Sequence, residues 1–270
     1  KMTITNKKNH KLVVPYNLVS TMRAGVLTMG PLLSRYQLKN IQVSLGGGCL
    51  IGQRLQNYHL AGFKSLGALN YLEKGYINIS SKKGLTGSKY KFPKVTVTGT
   101  SNVIMASIFA KGIHYIKNIS IEPEVIDLIN FLNNSGADIK FIGRRSIVIK
   151  GVKELIDGEH TIIGDRIEAF SYLCVGAITN RKIRVKNINP YYLKTEINIL
   201  RKIGYKISVN ESSITLFSGK KLKPIKIKTG PWPSFATDNM PSLLAVLTKV
   251  LGKSQIEETI FSNRFMAAPE

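Results

Sequence analysis

The stretch DLINFLNNSGADIKFIGRRSIVIK, residues 127–150, decides the fold class. It begins with apolar residues at helical spacing, reaches a glycine at Gly136, and continues as two alternating runs separated by a tight turn. A glycine directly after a helix adopts the left-handed conformation at little steric cost, and period-two alternation is typical of half-buried strands. The stretch therefore predicts a helix followed by a β-hairpin.

Two other stretches have the same design. They are FKSLGALNYLEKGYINIS, residues 63–80, and LKTEINILRKIGYKISVNESSITLF, residues 193–217. The glycines Gly67, Gly136 and Gly204 are 69 and 68 residues apart. A fixed period of this length indicates a repeated structural unit.

A second landmark has the same period. The tripeptide Lys-Asn-Ile starts at Lys39, Lys117 and Lys186, each time within or at the end of a β-like run. With a helix expected before each copy, every repeat has the order strand, helix, strand, helix, strand, strand. We predict an α/β fold of repeated βαβαββ units in two domains, residues 1–163 and 164–270. The additional helices are expected at residues 17–35, 101–111, 165–178 and 238–251.

The first repeat contains an insertion. From Asn40 to Gly67 there are 27 residues, where the other two copies have 18 and 17. The extra residues fall in GGGCLIGQRLQNYH, which holds Cys49 and Arg54. Backbone N–H groups and a nearby arginine favour a thiolate and attract anions, so a functional Cys49 is expected, although a free cysteine is also often a small buried apolar residue. Cys174, on the apolar stripe of a predicted helix, is expected to be buried, and Cys49 is the one expected to react with iodoacetamide.

Two aspartates precede predicted helices. Asp238 lies in GPWPSFATDN and Asp165 lies in GDRIEA. Aspartate is a preferred N-cap residue, so either side chain could cap its helix. Sequence position alone does not decide between capping and function for either residue.

Composition excludes several classes of protein. The chain has 270 residues with 43% hydrophobic residues and a net charge of +23, so a basic disordered tail is excluded. No apolar run approaches the roughly 18 residues of a membrane span, and four histidines without ligand spacing indicate no metal site. The lysine excess has two interpretations, solvated surface or contact with a polyanion, and aromatic residues do not alternate with the basic runs as stacking platforms would.

Seven segments follow one another along the chain: TMRAGVLTMGPLLSR, GGGCLIGQRLQNYHLAGFKSLGA, VTVTGTSNVIMASIFAKG, EPEVIDLINFLNNSGA, DRIEAFSYLCVGAI, PWPSFATD and ETIFSNRFM. In this order they resemble the UDP-N-acetylglucosamine 1-carboxyvinyltransferase family, the enolpyruvyl transferases of peptidoglycan synthesis. The resemblance implies an inside-out α/β barrel fold with six βαβαββ units in two domains. Since 270 residues amount to about four units, we expect an incomplete chain that lacks N- and C-terminal segments of the family.

The resemblance also implies an activity. The expected reaction is transfer of enolpyruvate from phosphoenolpyruvate to the 3′-hydroxyl of UDP-N-acetylglucosamine, with release of phosphate, in the cytoplasm. It implies two small-molecule substrates, no cofactor, no metal, no membrane and no nucleic acid partner, and it leaves the oligomeric state open. The family is the target of fosfomycin, which alkylates the cysteine that Cys49 matches.

Matching motifs assign roles to residues. Cys49 is implied as general acid, Asp238 as the base at the 3′-hydroxyl, and Arg54 as a contact to phosphoenolpyruvate; an alcohol that forms a new C–O bond near neutral pH needs such a base. Cys49 and Asp238 are expected to face each other across a cleft. The implied substrate-binding residues are Arg23, Thr96, Val97, Thr98, Thr237, Ile260 and Arg264.

Three alternatives stay open. A shikimate-pathway enolpyruvyl transferase would share the fold, but the Cys49 loop and PWPSFATD argue against it. An RNA-end-processing or RNA-binding protein on similar repeats would use the positive charge directly. An inactive remnant of the transferase would keep the motifs without the turnover.

Overall fold

The computed structural model describes residues 12–19, 22–44 and 57–269. The chain divides into two compact units. The first contains the described residues as far as Ser120 and also Leu128–His160, and the second contains Ile121–Asp127 and the residues from Thr161 onward. The boundary that the repeats predict between residues 163 and 164 stays a prediction.

The first repeat has helical segments between two parallel strands, followed by a helix and a β-hairpin. Its elements are β1 (Val13–Val14), α1 (Tyr16–Val19), a 3-10 turn (Arg23–Thr28), α2 (Met29–Arg35), β2 (Ile41–Ser44), α3 (Asn57–Ser65), β3 (Leu69–Glu73) and β4 (Tyr76–Ser80). The sheet order is β1-β2-β4-β3, with β1 and β2 parallel and the other neighbours antiparallel.

The second repeat has the same topology. Its elements are β5 (Lys89–Lys91), α4 (Val97–Ser107), β6 (Ile113–Lys117), α5 (Pro123–Asn134), β7 (Asp138–Gly143) and β8 (Ser146–Lys150). The sheet order is β5-β6-β8-β7, again with one parallel pair, β5 and β6. The predicted βαβαββ unit is therefore confirmed here, and α4 begins four residues before the predicted position because the Thr96 side chain caps it.

The third repeat lacks its predicted first strand, since residues 151–165 form no helix or strand. This stretch contains three glycines, which disfavour strands, and its Ile162 is 79% exposed. The elements that follow are α6 (Arg166–Thr179), β9 (Ile183–Lys186), a 3-10 turn (Pro190–Leu193), α7 (Lys194–Ile203), β10 (Ile207–Asn210) and β11 (Ser213–Leu216). Their sheet order is β10-β11-β9.

The remaining elements form the start of a fourth repeat. They are β12 (Lys226–Lys228), a 3-10 turn (Thr237–Asn239), α8 (Met240–Leu247), β13 (Gln255–Glu257) and a last 3-10 turn (Arg264–Ala267). β12 and β13 are parallel, as are the first two strands of the repeats in the first unit. No helix among the described residues has the length and apolar character needed to cross a membrane.

The repeated glycines and asparagines have a common conformational role. Gly67, Gly136 and Gly204 have φ values of 90°, 94° and 125°, which confirms the left-handed residue predicted after each helix. Asn118 and Asn187 of the Lys-Asn-Ile tripeptides also have positive φ, 57° and 58°. Asparagine tolerates this conformation better than most residues, and in these two copies it follows the last residue of a strand, whereas the first copy, Lys39–Ile41, lies at the start of β2.

In the second unit, helices pack against the β9–β11 sheet and bury an apolar core. Phe170 and Leu173 of α6, Leu200 of α7 and Leu243 of α8 are fully buried within it. Phe235 packs its ring against Phe170 at 5.9 Å between centroids, edge to face. The residues that follow Phe235 are thereby fixed at the edge of the core.

Candidate functional site

Asp238 lies at the centre of the 3-10 turn that precedes α8. The N-cap residues of this turn and of α8 are Ala236 and Asn239, and neither element has a side-chain capping bond. Asp238 therefore does not cap either element. Its Oδ1 instead accepts a hydrogen bond from Nη2 of Arg264 at 2.8 Å, in an ion pair. The Asp238 side chain is 56% exposed and that of Arg264 only 10%, so the arginine is fixed by its surroundings and the carboxylate is open to solvent.

Arg264 makes a second contact to the same turn. Its Nε donates to the backbone oxygen of Thr237 at 3.0 Å, while Nη2 holds Asp238. A planar guanidinium presents its N–H donors in a fixed fork that suits two acceptors at once, whereas an ammonium group is a compact point charge without that fork. The Asp238 carboxylate is thus oriented by a buried cation that also fixes its backbone.

Glu258 links this turn to the segment after β13. Its Oε2 accepts from Thr237 Oγ1 at 2.9 Å, and its Oε1 accepts from the backbone N–H groups of Ile260 and Phe261 at 2.6 and 3.1 Å. Ile260 is 40% exposed beside these bonds. The structure therefore brings four predicted residues together, namely Thr237, Asp238, Ile260 and Arg264.

Arg166 interacts with three glutamates, of which Glu122 and Glu196 are buried and Glu124 is exposed. Arg166, 8% exposed, donates from Nε and Nη2 to the two carboxylate oxygens of Glu124 at 3.1 and 3.0 Å. Glu122 accepts from the backbone N–H of Trp232 at 3.2 Å, and Glu196 accepts from the N–H of Ala236 at 3.4 Å. The loop before Asp238 is therefore held by carboxylates at two of its residues.

Burial controls the ionisation of these groups. Loss of solvation raises the pKa of Glu196 and of Glu122, and the hydrogen bonds they accept and the positive charge of Arg166 oppose that rise only in part. The pKa of Arg166 is raised: desolvation is the largest influence and lowers it, but the hydrogen bonds and charge of Glu124, with the charges of Glu196 and Glu122, outweigh it. The four side chains form one electrostatically linked group.

Sequence reasoning missed Glu122, Glu196 and Glu258. A signal existed for Glu196, because it lies on the same helical stripe as Leu193, Ile197 and Leu200, all of which are buried. A carboxylate on an apolar stripe needs internal partners, since an unpaired buried charge is strongly unfavourable. Glu258 and Glu122 each begin one of the segments that carry the family resemblance, ETIFSNRFM and EPEVIDLINFLNNSGA, but no role was assigned to either because both are far in sequence from the loop that they bind.

The residues Thr96, Val97 and Thr98 lie in the first unit, at the start of α4. Thr96 caps the helix, since its Oγ1 accepts from the N–H of Gly99 at 3.3 Å. The first bond of the helix ladder runs from Thr100 N to Thr96 O, so the N–H groups of Val97 and Thr98 precede the ladder. Such N–H groups are suited to oxygen atoms of an anionic ligand.

His59 lies buried next to this helix. Its Nδ1 is 2.8 Å from Asn102 Nδ2, and its Nε2 is 3.5 Å from Thr98 Oγ1. Asn102 also accepts from the N–H of Gly30 at 2.9 Å, where α2 approaches α4 so closely that a side chain at Gly30 would collide with it. The position of Thr98 is therefore fixed by packing of the surrounding helices.

The remaining predicted residues are only partly described. Cys49 and Arg54 lie outside the described residues, as does the side chain of Arg23, whose backbone begins the 3-10 turn Arg23–Thr28. Cys174 is 2% exposed on α6, which confirms its expected burial, and loss of solvation raises the pKa of its thiol. The roles assigned to Cys49, Arg54 and Arg23 stay predictions.

Comparison with solved structures supports the fold. The enolpyruvyl transferase NikO from Streptomyces tendae superimposes with a TM-score of 0.81 at 19% identity, over 96% of this chain and 61% of that chain. An EPSP synthase from Acinetobacter baumannii superimposes with a TM-score of 0.64 at 17% identity, over 90% of this chain and 57% of that one. At these identities the likeness concerns the fold alone.

Sequence relatives are much closer. A protein of Pelagibacter ubique named UDP-N-acetylglucosamine 1-carboxyvinyltransferase is 42% identical over 269 residues, and a Helicobacter pylori protein of the same name is 42% identical over 271 residues. This chain spans 64% of the length of each. The sequence profile of the EPSP synthase (3-phosphoshikimate 1-carboxyvinyltransferase) family matches residues 1–270, and the chain therefore belongs to that family.

Proposed function

We propose that the protein transfers the enolpyruvyl group of phosphoenolpyruvate to the 3′-hydroxyl of UDP-N-acetylglucosamine, with release of phosphate, in the cytoplasm. The observation that carries this proposal is the 42% identity over the whole chain to two proteins named for that reaction. The EPSP synthases among the solved structures are named for a different acceptor. Their sequences are only 18% and 17% identical to this chain.

Asp238 is the proposed base. The new C–O bond joins the sugar 3′-oxygen to C2 of phosphoenolpyruvate, and the hydroxyl proton must leave as the bond forms. The exposed Asp238 carboxylate, oriented by Arg264 and not used as a helix cap, is suited to accept it. Thr237, Ile260 and Arg264 then border the sugar.

Cys49 is the proposed proton donor. Addition at C2 places a proton on the methylene carbon, C3, which the thiol supplies. When a proton returns from C3 to the Cys49 thiolate, the C–O bond to the phosphate breaks, phosphate leaves, and the double bond of the product forms. Arg54 and Arg23 are proposed to bind the carboxylate and phosphate of phosphoenolpyruvate, because arginine forks match both groups.

The nucleotide is proposed to bind at the start of α4. The N–H groups of Val97 and Thr98 precede the hydrogen-bond ladder of the helix, and the Thr96 cap fixes the backbone there. Neutral N–H donors at a helix start favour oxygen atoms of an anionic or carbonyl-bearing ligand.

The test places this chain in a full-length context. The chain replaces the matching 269 residues of the Pelagibacter ubique relative, and phosphate release from phosphoenolpyruvate is measured with UDP-N-acetylglucosamine or with shikimate 3-phosphate as acceptor. Release that requires UDP-N-acetylglucosamine is expected. Release only with shikimate 3-phosphate would assign the other acceptor, and no release with either, from a chimera that folds, would overturn the proposal.

A further inference from the structure

The first turn of α7 contacts the loop that carries Asp238 at three positions. Thr195 Oγ1 donates to the backbone oxygen of Pro233 at 2.6 Å. Glu196 Oε1 accepts from Ala236 N at 3.4 Å and from Asn239 Nδ2 at 3.1 Å. Two adjacent side chains of one helix therefore bind the loop at intervals of three residues.

The Glu196 contacts lie on both sides of the candidate base. Ala236 is two residues before Asp238, and Asn239 is one residue after it. Glu196 is 3% exposed, and Asn239 is fully buried. Buried hydrogen bonds to a carboxylate are stronger than exposed ones because water does not compete for either partner.

Arg264 cannot replace these contacts. It binds the Asp238 side chain and the Thr237 oxygen, whereas Glu196 binds the backbone before the turn and the side chain after it. The two sets share no atom of the turn. Removing Glu196 would leave the turn held at Thr237 and Asp238 by Arg264 and Glu258, but without the contacts at Ala236 and Asn239.

We propose that Glu196, assisted by Thr195, is a positioning residue that holds the loop on both sides of Asp238, through the Ala236 backbone and the Asn239 side chain, and so presents the Asp238 carboxylate to the acceptor hydroxyl. The inference rests on the proposed function for its effect on rate. Glu196 acts through the loop and touches no reacting group, so it differs in kind from Asp238. A displacement of about 1 Å at a catalytic group can lower a rate by roughly 10²-fold, so such support has a measurable effect.

A conservative variant separates hydrogen bonding from mere packing. In Glu196→Gln the carboxamide oxygen can take the place of Oε1, which accepts from both Ala236 N and Asn239 Nδ2. Glu196→Ala removes all of these contacts, and Thr195→Val removes only the bond to Pro233.

The first measurement does not depend on activity. Amide hydrogen exchange of residues 234–239 is compared in the 270-residue chain and in each variant. We expect Glu196→Ala to reduce protection at Ala236 at least tenfold, Thr195→Val to have a smaller effect, and Glu196→Gln to retain protection. Unchanged exchange in Glu196→Ala would overturn the positioning role. If that variant does not fold, unchanged exchange in Thr195→Val would overturn the part assigned to Thr195.

The second measurement is turnover in the chimera. Glu196→Ala is expected to lower kcat about 10- to 100-fold with little change in KM, and Glu196→Gln to restore most of it. Ile203→Val is the matched control, because Ile203 is fully buried on the same helix and makes none of these contacts. An equal loss of kcat in Ile203→Val would show that general destabilisation explains the effect. A wild-type chimera without turnover would refute the proposed function, and the exchange measurement would still decide the positioning role.

Discussion

Asp165 and Asp238 occupy similar places in sequence and have different roles in structure. Asp165 caps α6, since its Oδ1 accepts from the N–H groups of Ile167 and Glu168 at 2.8 and 3.1 Å. Asp238 precedes α8 without capping it and pairs with Arg264. The same local pattern is an aspartate before an apolar helix. In one repeat its carboxylate caps the helix, and in the other it is exposed to solvent and free of a capping role.

The largest expected effect is on turnover, with Asp238→Asn in the chimera. Asparagine keeps the shape of the side chain but cannot take up the hydroxyl proton. We expect the rate to fall about 10²- to 10⁴-fold, the range for loss of an acid–base group, while the melting temperature stays nearly constant. Steady-state phosphate release and thermal unfolding measure the two quantities.

Asp165→Asn is the matched control for that variant. Asparagine caps a helix about as well as aspartate, so neither rate nor melting temperature should change. Near-normal turnover in Asp238→Asn would remove Asp238 from the chemistry. An equal loss in both variants would remove the contrast between the two aspartates.

The next largest effect is expected from a change at Arg264, the residue that pairs with Asp238. Arg264→Lys keeps the charge but loses the guanidinium fork that binds Asp238 and the Thr237 oxygen together, and we expect a rate loss of about tenfold. If the arginine acts through Asp238, the double variant Asp238→Asn, Arg264→Lys should be hardly slower than Asp238→Asn alone. Independent, multiplicative losses would argue that Arg264 acts on the substrate directly.

Local chemistry explains what could be predicted from the sequence. The left-handed glycines Gly67, Gly136 and Gly204 follow from the helix and hairpin around them, so their period located the repeats correctly. The prediction of a strand before α6 is wrong. It rests on the repeat alone, and a repeat predicts an element even where the local residues do not form it.

The site was predictable only in part, for a different reason. Arg264 lies 26 residues beyond Asp238, and Glu196 lies 42 residues before it. Contacts at such separations depend on how helices and strands pack, which residue spacing does not report. The resemblance to a family indicated Asp238 and Arg264 as site residues but carried no information on Glu196, since no motif includes it.

A moderate effect on stability is expected from the loss of the Asp165 cap. Asp165→Ala removes both bonds of the α6 cap and should lower the free energy of unfolding by about 0.5–2 kcal/mol. Asp238→Ala removes no cap, so any loss there reflects the pair with Arg264. Urea unfolding of the 270-residue chain measures both, and no loss in Asp165→Ala would contradict the capping geometry.

The smallest expected effect is a change in how stability depends on pH. It concerns Glu196, the buried residue that binds the loop on both sides of Asp238. Burial raises the pKa of Glu196 above its ordinary value of 4.5, so the folded chain keeps this proton at pH values where the unfolded chain has lost it. The contribution of Glu196 to stability is therefore fully present below about pH 4.5 and is lost as pH rises through the folded-state pKa.

Glutamine at position 196 cannot ionise, so the difference in unfolding free energy between Glu196→Gln and wild type should move in favour of the variant from pH 4 towards neutrality. Arg166 and Glu122, the charged groups linked to Glu196, are present in both proteins, so their own titration largely cancels in the difference. Glu211→Gln, at an exposed turn between β10 and β11, is the control and should leave the profile parallel to wild type. Urea unfolding across this pH range measures the slopes. Parallel curves for Glu196→Gln and wild type would mean that Glu196 ionises in the folded chain as it does in the unfolded one, and the cost assigned to its burial would have to be withdrawn.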